Sequence, residues 1–294
     1  MDAFISHSSR DAAVAVDVER RLEHGGLKVW LDRSEIRPGR LLRKELQSAI
    51  ADSRVVVLLW SKPAAASRWI AAEILTAFHL DRFIVVCARD KTALPYFLQN
   101  TIYLNVRPRK SDWAQPLLRA IRAAPRAANE VPAPMGSETT ELAAEIRQLA
   151  AFQAEVTDRL GVNDLAGARK HQKTLDRRMK AAEKKWRLEA MILNLAGYHY
   201  KNAYMVKHWE AILAGRPPAD RLLDDAERCF YESLFVDPYD FSALNGLGSI
   251  LIYERDLDAA EFFIRRALAL AKRAGASYPA ADHDLELVLG LKAR

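Results

Sequence analysis

The sequence predicts an α/β domain built on a five-stranded parallel sheet, followed by an all-α region. Three observations lead there. Five short apolar runs, at 3–6, 28–31, 55–60, 83–88 and 101–104, alternate with amphipathic stretches, the rhythm of strand–helix units whose strands run parallel. The runs are apolar without alternation, Val55-Val56-Val57-Leu58-Leu59 above all, as expected of strands covered on both faces. Beyond a Pro-rich break, apolar residues return at helical steps as far as the C-terminus.

Within the first part, Val14, Val18, Arg21 and Leu22 mark one helix face, and Leu41, Leu42, Leu46 and Ile50 another. Five strands with intervening helices make a flavodoxin-like sheet, with the expected order 2-1-3-4-5, spanning residues 1–122. The segment 123–136 carries Pro125, Pro132 and Pro134 among alanines and reads as a linker, since neither helix nor strand can use it continuously. Residues 137–190 read as a helical hairpin. Its first helix is N-capped by Ser137, with Glu138 and Glu141 in the first turn. Its second places Leu165, Ala168, Gln172, Leu175, Met179, Ala182 and Trp186 at alternating steps of three and four, a coiled-coil-like seam weakened by Gln172 and the alanines. This seam is open to packing within one chain or between chains.

Residues 191–294 show internal similarity. Leu244, Leu247, Gly248, Leu251, Ala260, Ile264 and Ala267 resemble the large and small packing sites of a tetratricopeptide (TPR) unit. An earlier copy uses Leu193, Gly197 and Tyr200, then Ala226, Phe230 and Pro238, around an insertion with Gly215, Pro217 and Pro218. A last helix at 281–291 is expected to cap the stack.

At 294 residues the chain has room for two domains of ordinary size. Half of it is apolar and 28% charged, a globular and not a disordered profile. Its two cysteines, Cys87 and Cys229, have no metal-ligand or redox spacing. With no membrane-length apolar run and no secretory leader, a reducing cytoplasm is the expected setting. The net charge is +6, and residues 169–187 concentrate nine Lys and Arg. This run reads first as a solvated helix face. No aromatic interleaving or recognised nucleic-acid motif accompanies it, which counts against a nucleic-acid partner.

Four ordered segments carry a resemblance to the TIR (Toll/interleukin-1 receptor) domain family, of the bacterial NAD-cleaving type. They are Asp2-Ala3-Phe4-Ile5-Ser6-His7-Ser8; Gly26-Leu27-Lys28-Val29-Trp30-Leu31-Asp32; the loop from Asp32 to Gly39 with Ile36, Arg37 and Pro38; and Ser67-Arg68-Trp69-Ile70-Ala71-Ala72-Glu73. The resemblance implies that Glu73 is the catalytic glutamate and that the loop with Ile36, Arg37, Pro38 and Gly39 serves self-association. It also implies NAD⁺ as substrate with no further cofactor or metal, and a role in bacterial immune or cell-suicide signalling. The family often has a cysteine after the tryptophan, where this chain has Ile70.

The residues also make a chemical case. Trp69 and Glu73 are four apart on a predicted helix and share a face. Breaking the nicotinamide–ribose bond leaves an oxocarbenium-like cation, which a carboxylate stabilises. Nicotinamide departs neutral, so one carboxylate suffices. Trp69 offers a ring wall to the cationic pyridinium. The crevice at the carboxyl ends of strands one and three brings in Ser6, His7, Ser8, Trp60 and Lys62 as substrate-binding candidates, with Arg10 adding charge and helix-start amides near Ser9 open to phosphate. His7 reads as a surface residue, and Asp32 either faces ribose or caps its loop. No Gly-rich dinucleotide fingerprint is present. The competing reading is a non-catalytic TIR scaffold that assembles signalling partners. Either way, the helical region is expected to govern homo-oligomer assembly or to receive a protein trigger. Whether the product is linear or cyclic ADP-ribose stays open.

Overall fold

The computed structural model describes residues 1–31, 41–98, 103–106, 113–124, 140–187 and 189–293. The chain divides into two compact units, Met1–Pro132 and Ala133–Arg294.

In the first unit, strands β1 (Ala3–Ser6), β2 (Val29–Leu31), β3 (Val55–Trp60), β4 (Phe83–Ala88) and β5 (Tyr103–Asn105) form one sheet in the order β2-β1-β3-β4-β5. Every pairing is parallel, so each connection must cross over the sheet. Helices α1 (Ala12–His24), α2 (Leu41–Asp52), and a single turn α3 (Lys62–Ala65) with α4 (Arg68–His79) lie in the first three connections, and α5 (Ala114–Ala123) follows β5. All six residues of β3 are buried, as its unbroken apolar run requires for a central strand.

The period of two along a strand divides this core into layers. Ala3, Ile5, Val55, Val57, Leu59, Val85 and Cys87 pack against Ala15, Val18 and Leu22 of α1 and Leu117, Leu118 and Ile121 of α5. Phe4, Val56, Leu58, Ile84 and Val86 therefore face the opposite side, where α4 packs on β1 and β4 and α2 packs on α4. Phe4 stacks on Trp30 there, ring centroids 5.1 Å apart. Arg21 is not on the core face of α1. It bonds Asp17 at 2.9 Å and lies over the Trp113 ring, while Ala15, Val18, Glu19 and Leu22 are the buried residues. Because β2 and β3 flank β1, the chain's path reverses there, which opens a crevice at the carboxyl ends of β1 and β3. Asp32, Ile36, Arg37, Pro38 and Gly39, and residues 125–139 of the linker and first helix start, lie outside the described residues.

The second unit is helical: α6 (Thr140–Gly161), α7 (Leu165–Lys185), α8 (Ala190–Leu213), α9 (Arg221–Val236), α10 (Phe241–Tyr253), α11 (Leu257–Arg273) and α12 (Pro279–Lys292). Each packs on the next in sequence. Aspartates mark the starts: Asp164, Asp220, Asp240 and Asp256 accept first-turn backbone N–H bonds of α7, α9, α10 and α11, satisfying donors the helix cannot satisfy itself. Leu175, Met179 and Ala182 of α7 meet Leu142 and Leu149 of α6 and Ile192, Leu195 and Ala196 of α8 in one cluster, so the seam of α7 is filled within the chain. Gln172, the polar member of that seam, is buried and its amide lies 3.1 Å from Nδ1 of His199. Burial holds His199 below the usual histidine range, against the pull of Asp176.

The repeated small residues have a visible purpose. The Phe230 ring of α9 is fully buried between α8 and α10, and a β-carbon at Gly197 or Gly246 would stand 2.6 or 2.3 Å from it. Gly248 likewise admits Ile264, with the Ala260 carbonyl 3.2 Å from where a β-carbon would sit. Cys87 and Cys229 are free and buried, and burial pushes both thiols up to about 12.

Phe230→Ala should destabilise the helical unit by about 3–5 kcal/mol through the cavity it leaves. Gly246→Ala, which forces a methyl against the ring, should cost about 1–3 kcal/mol. Urea unfolding of the full chain followed by circular dichroism checks both; a wild-type midpoint in either variant contradicts the wedge.

Candidate active site

The carboxyl edge of the sheet is organised around a buried acid. β1 ends in Ser6, and Ser8 caps the 3₁₀ turn Ser9–Asp11, its hydroxyl accepting from the Arg10 backbone N–H. This turn delivers Asp11 to the interior at the start of α1. Its Oδ2 lies 2.5 Å from Oγ of Ser61, and its Oδ1 accepts from Nε of Arg89 at 3.3 Å. Ser61 follows β3 and N-caps α3, accepting from Ala64 N–H at 3.1 Å. Arg89 follows β4, and its guanidinium reaches the Val106 carbonyl beyond β5 at 3.3 Å. Asp90 accepts from the backbone N–H of Lys62 at 2.9 Å and of Thr92 at 2.8 Å. The segments after β1, β3, β4 and β5 are thereby joined by side chains.

The sequence-predicted residues fall unevenly about this frame. Ser6 is fully buried, and its Oγ has no hydrogen-bond partner among the described residues. By the strand alternation it faces the side of the sheet that α4 covers. His7 and Ser8 are half-buried. Trp60 faces the same side as Ser6, but it does not offer itself to a ligand: it is buried, and its indole N–H is shared between the carbonyls of Thr92 and Ala93, at 3.2 and 3.1 Å. It holds the β4 loop down. Lys62 has an exposed side chain. The start of α1 holds Asp11, whose charge is paired with Arg89.

α4 begins at the Ser67 N-cap, whose hydroxyl accepts from Ile70 N–H. One face of this helix carries Trp69 and, one turn on, Glu73. Trp69 is 42% exposed and Glu73 only 2%. The pair thus spans from surface to interior, a flat ring outside and a carboxylate within. Such an arrangement can take an aromatic, positively charged group against the indole and put negative charge beneath the atoms attached to it.

Asp11, Ser61, Arg89 and Asp90 were not singled out by sequence. The available signal was positional: Arg89 and Asp90 are charges placed directly after the apolar run of β4, where a strand ends at a site-forming edge.

Comparison with known proteins bears on the fold. Residues 3–121 match the family model of the TIR domain. Over 121 residues the chain is 30% identical to a protein of Methanobrevibacter olleyae named "Probable 2' cyclic ADP-D-ribose synthase TcpO", a match covering 41% of this chain and 33% of that protein. The aligned part thus spans about a third of the relative's length. No solved structure matches the chain. The parallel sheet with its β2-β1-β3-β4-β5 order and the family match together identify residues 3–121 as a TIR domain.

Proposed function

We propose that this TIR domain cleaves the nicotinamide–ribose bond of NAD⁺, with Glu73 as the catalytic carboxylate and Trp69 as the wall for the nicotinamide ring. The observation that carries this reading is the depth of Glu73, a carboxylate buried one turn on from a half-exposed indole, on the helix that packs on β1 and β4. A surface used only for docking has no need of a buried acid there. The relative is named for synthesis of a cyclic ADP-ribose, and ADP-ribose is what remains of NAD⁺ when nicotinamide leaves.

The chemistry follows from charge. The substrate's pyridinium is positive and its leaving group neutral, so departure transfers positive charge to the ribosyl ring without needing an acid. Glu73 acts on that developing cation and on the ribose hydroxyls, contacts that strengthen as the bond lengthens. The unspent Ser6 hydroxyl is a further partner for the substrate, with Ser8, His7 and the exposed Lys62 at the rim and Asp32 on the segment following β2. Capture of the cation by water gives linear ADP-ribose and capture by an internal hydroxyl gives a cyclic product.

The helical unit belongs, in this reading, to control: its glycine-admitted helix pairs are TPR-like and govern assembly or receive a protein trigger. Self-association through the loop with Ile36, Arg37, Pro38 and Gly39 then raises activity, as an immune or cell-suicide signal demands.

Glu73→Gln should lower nicotinamide release from NAD⁺, followed by chromatography, by about 100-fold or more, with an unchanged melting curve. Full turnover in this variant overturns the assignment of Glu73, and a wild-type chain that releases no nicotinamide returns the domain to the scaffold reading. Trp69→Ala should act mainly on KM. Wild-type specific activity should also climb with protein concentration, and Arg37→Ala or Pro38→Ala should depress it most in dilute solution; a fully active monomer contradicts assembly control.

A further inference from the structure

Helix α7 carries a feature that neither its packing nor the proposed reaction uses. Arg169, Lys173, Arg177, Lys180 and Lys184 are all exposed and recur at steps of four, four, three and four. At 100° per residue they fall within about 80° of arc, and at 1.5 Å rise they run for about 22 Å. They form one straight row, with Lys170 beside it. The buried residues of this helix, Ala168, Gln172, Leu175, Met179 and Ala182, occupy the other side, so the row points away from α6 and α8.

No direct ion pair among the described residues engages it. None of the five has a carboxylate oxygen within 4.0 Å, whereas their off-row neighbours are engaged: Lys185 pairs with Glu141, and Arg178 bonds Gln148 and lies over the Phe152 ring. Of the two acids of α7, Asp176 lies 3.3 Å from His199, and Glu183 feels Arg228, Glu232 and Asp225 of α9 as well as Lys180 of the row. A face that is merely solvated commonly mixes signs along helical i, i+4 neighbours; here the five-residue row is of a single sign over four turns, with Asp176 and Glu183 at one edge of it.

We propose that this row binds the phosphate backbone of a nucleic-acid duplex, without reading sequence. Several observations favour a polyphosphate. The cations are spaced about 5–6 Å apart along a rigid rod, close to the interval between phosphates on one strand. No large apolar side chain of α7 is exposed, so the face lacks both the apolar anchor of a protein interface and the inserting surface of a membrane-bound helix. It also lacks aromatic rings to stack unpaired bases, which selects duplex over single strand. The expectation from sequence that nucleic acid is not a partner rested on the missing motif, and backbone binding requires none.

Fluorescence anisotropy of a labelled mixed-sequence 20-base-pair duplex, titrated with the full chain at several salt concentrations, tests this. Five phosphate contacts should weaken binding about 500-fold between 50 and 200 mM salt. In K173Q/R177Q/K180Q the same change should cost only about tenfold, with an unchanged melting curve. A weak salt dependence, an unaltered slope in the triple variant, or tighter retention by phosphatidylserine vesicles or polyglutamate than by the duplex would each overturn the proposal. None of these readouts depends on NAD⁺ cleavage.

Discussion

A carboxylate buried at the carboxyl edge of a parallel sheet cannot stand alone, and the means by which Asp11 is satisfied shapes everything around it. Taking an ion out of water costs several kcal/mol unless partners replace its hydration. Asp11 finds a serine hydroxyl and a guanidinium, each at the end of a different strand. Ser61 has one proton to give and lone pairs to spare. It spends the proton on Asp11 and a lone pair on the first turn of α3, so the acid and the helix start cannot move independently. Arg89 extends the chain of contacts to Val106. Four loops that would otherwise be independent become one rim.

That rim limits what the site can do. With Trp60, Ser61 and Arg89 committed to holding loops, the polar atom left over at the end of β1 is the Ser6 hydroxyl. Arg89 compensates the charge of Asp11, and exposed Lys62 is the cation nearest in sequence to the β3 end. In the proposed reaction, the positively charged half of the substrate belongs at α4, against Trp69 and Glu73.

The parts of this structure legible in sequence are those whose signal is local. β3 and β4 announce themselves because burial on both faces leaves no room for polar residues. Trp69 and Glu73 are legible because a helix places residues four apart together whatever else happens. The Asp11 network is not, because its members lie 50 and 78 residues apart, and Asp11 itself looks like an acid favouring a helix N-terminus. Trp60 misleads for the same reason: its position at a strand end is local information, while the Thr92 and Ala93 carbonyls that consume its N–H are not. Gln172 reads as a defect in an apolar seam until His199, 27 residues on, supplies its partner.

The helical unit solves the same problem of buried polarity by repetition. Asn194 of α8 donates to Asp240 at the start of α10, and Asn245 of α10 donates to Asp284 of α12, both at 3.0 Å. Because only the amide nitrogen can face a carboxylate, the orientation of each asparagine is settled by its partner. Each bond fastens one layer of helices to the next, as Phe230 does between Gly197 and Gly246. Such pairwise fastening builds an array in which every helix answers mainly to its neighbours. The outward face of a helix is then free of structural duty. In α7 the seam residues carry the packing, and the like charges on the opposite face, which repel one another at i,i+4 spacing, add nothing to it; the proposed duplex contact gives them a use.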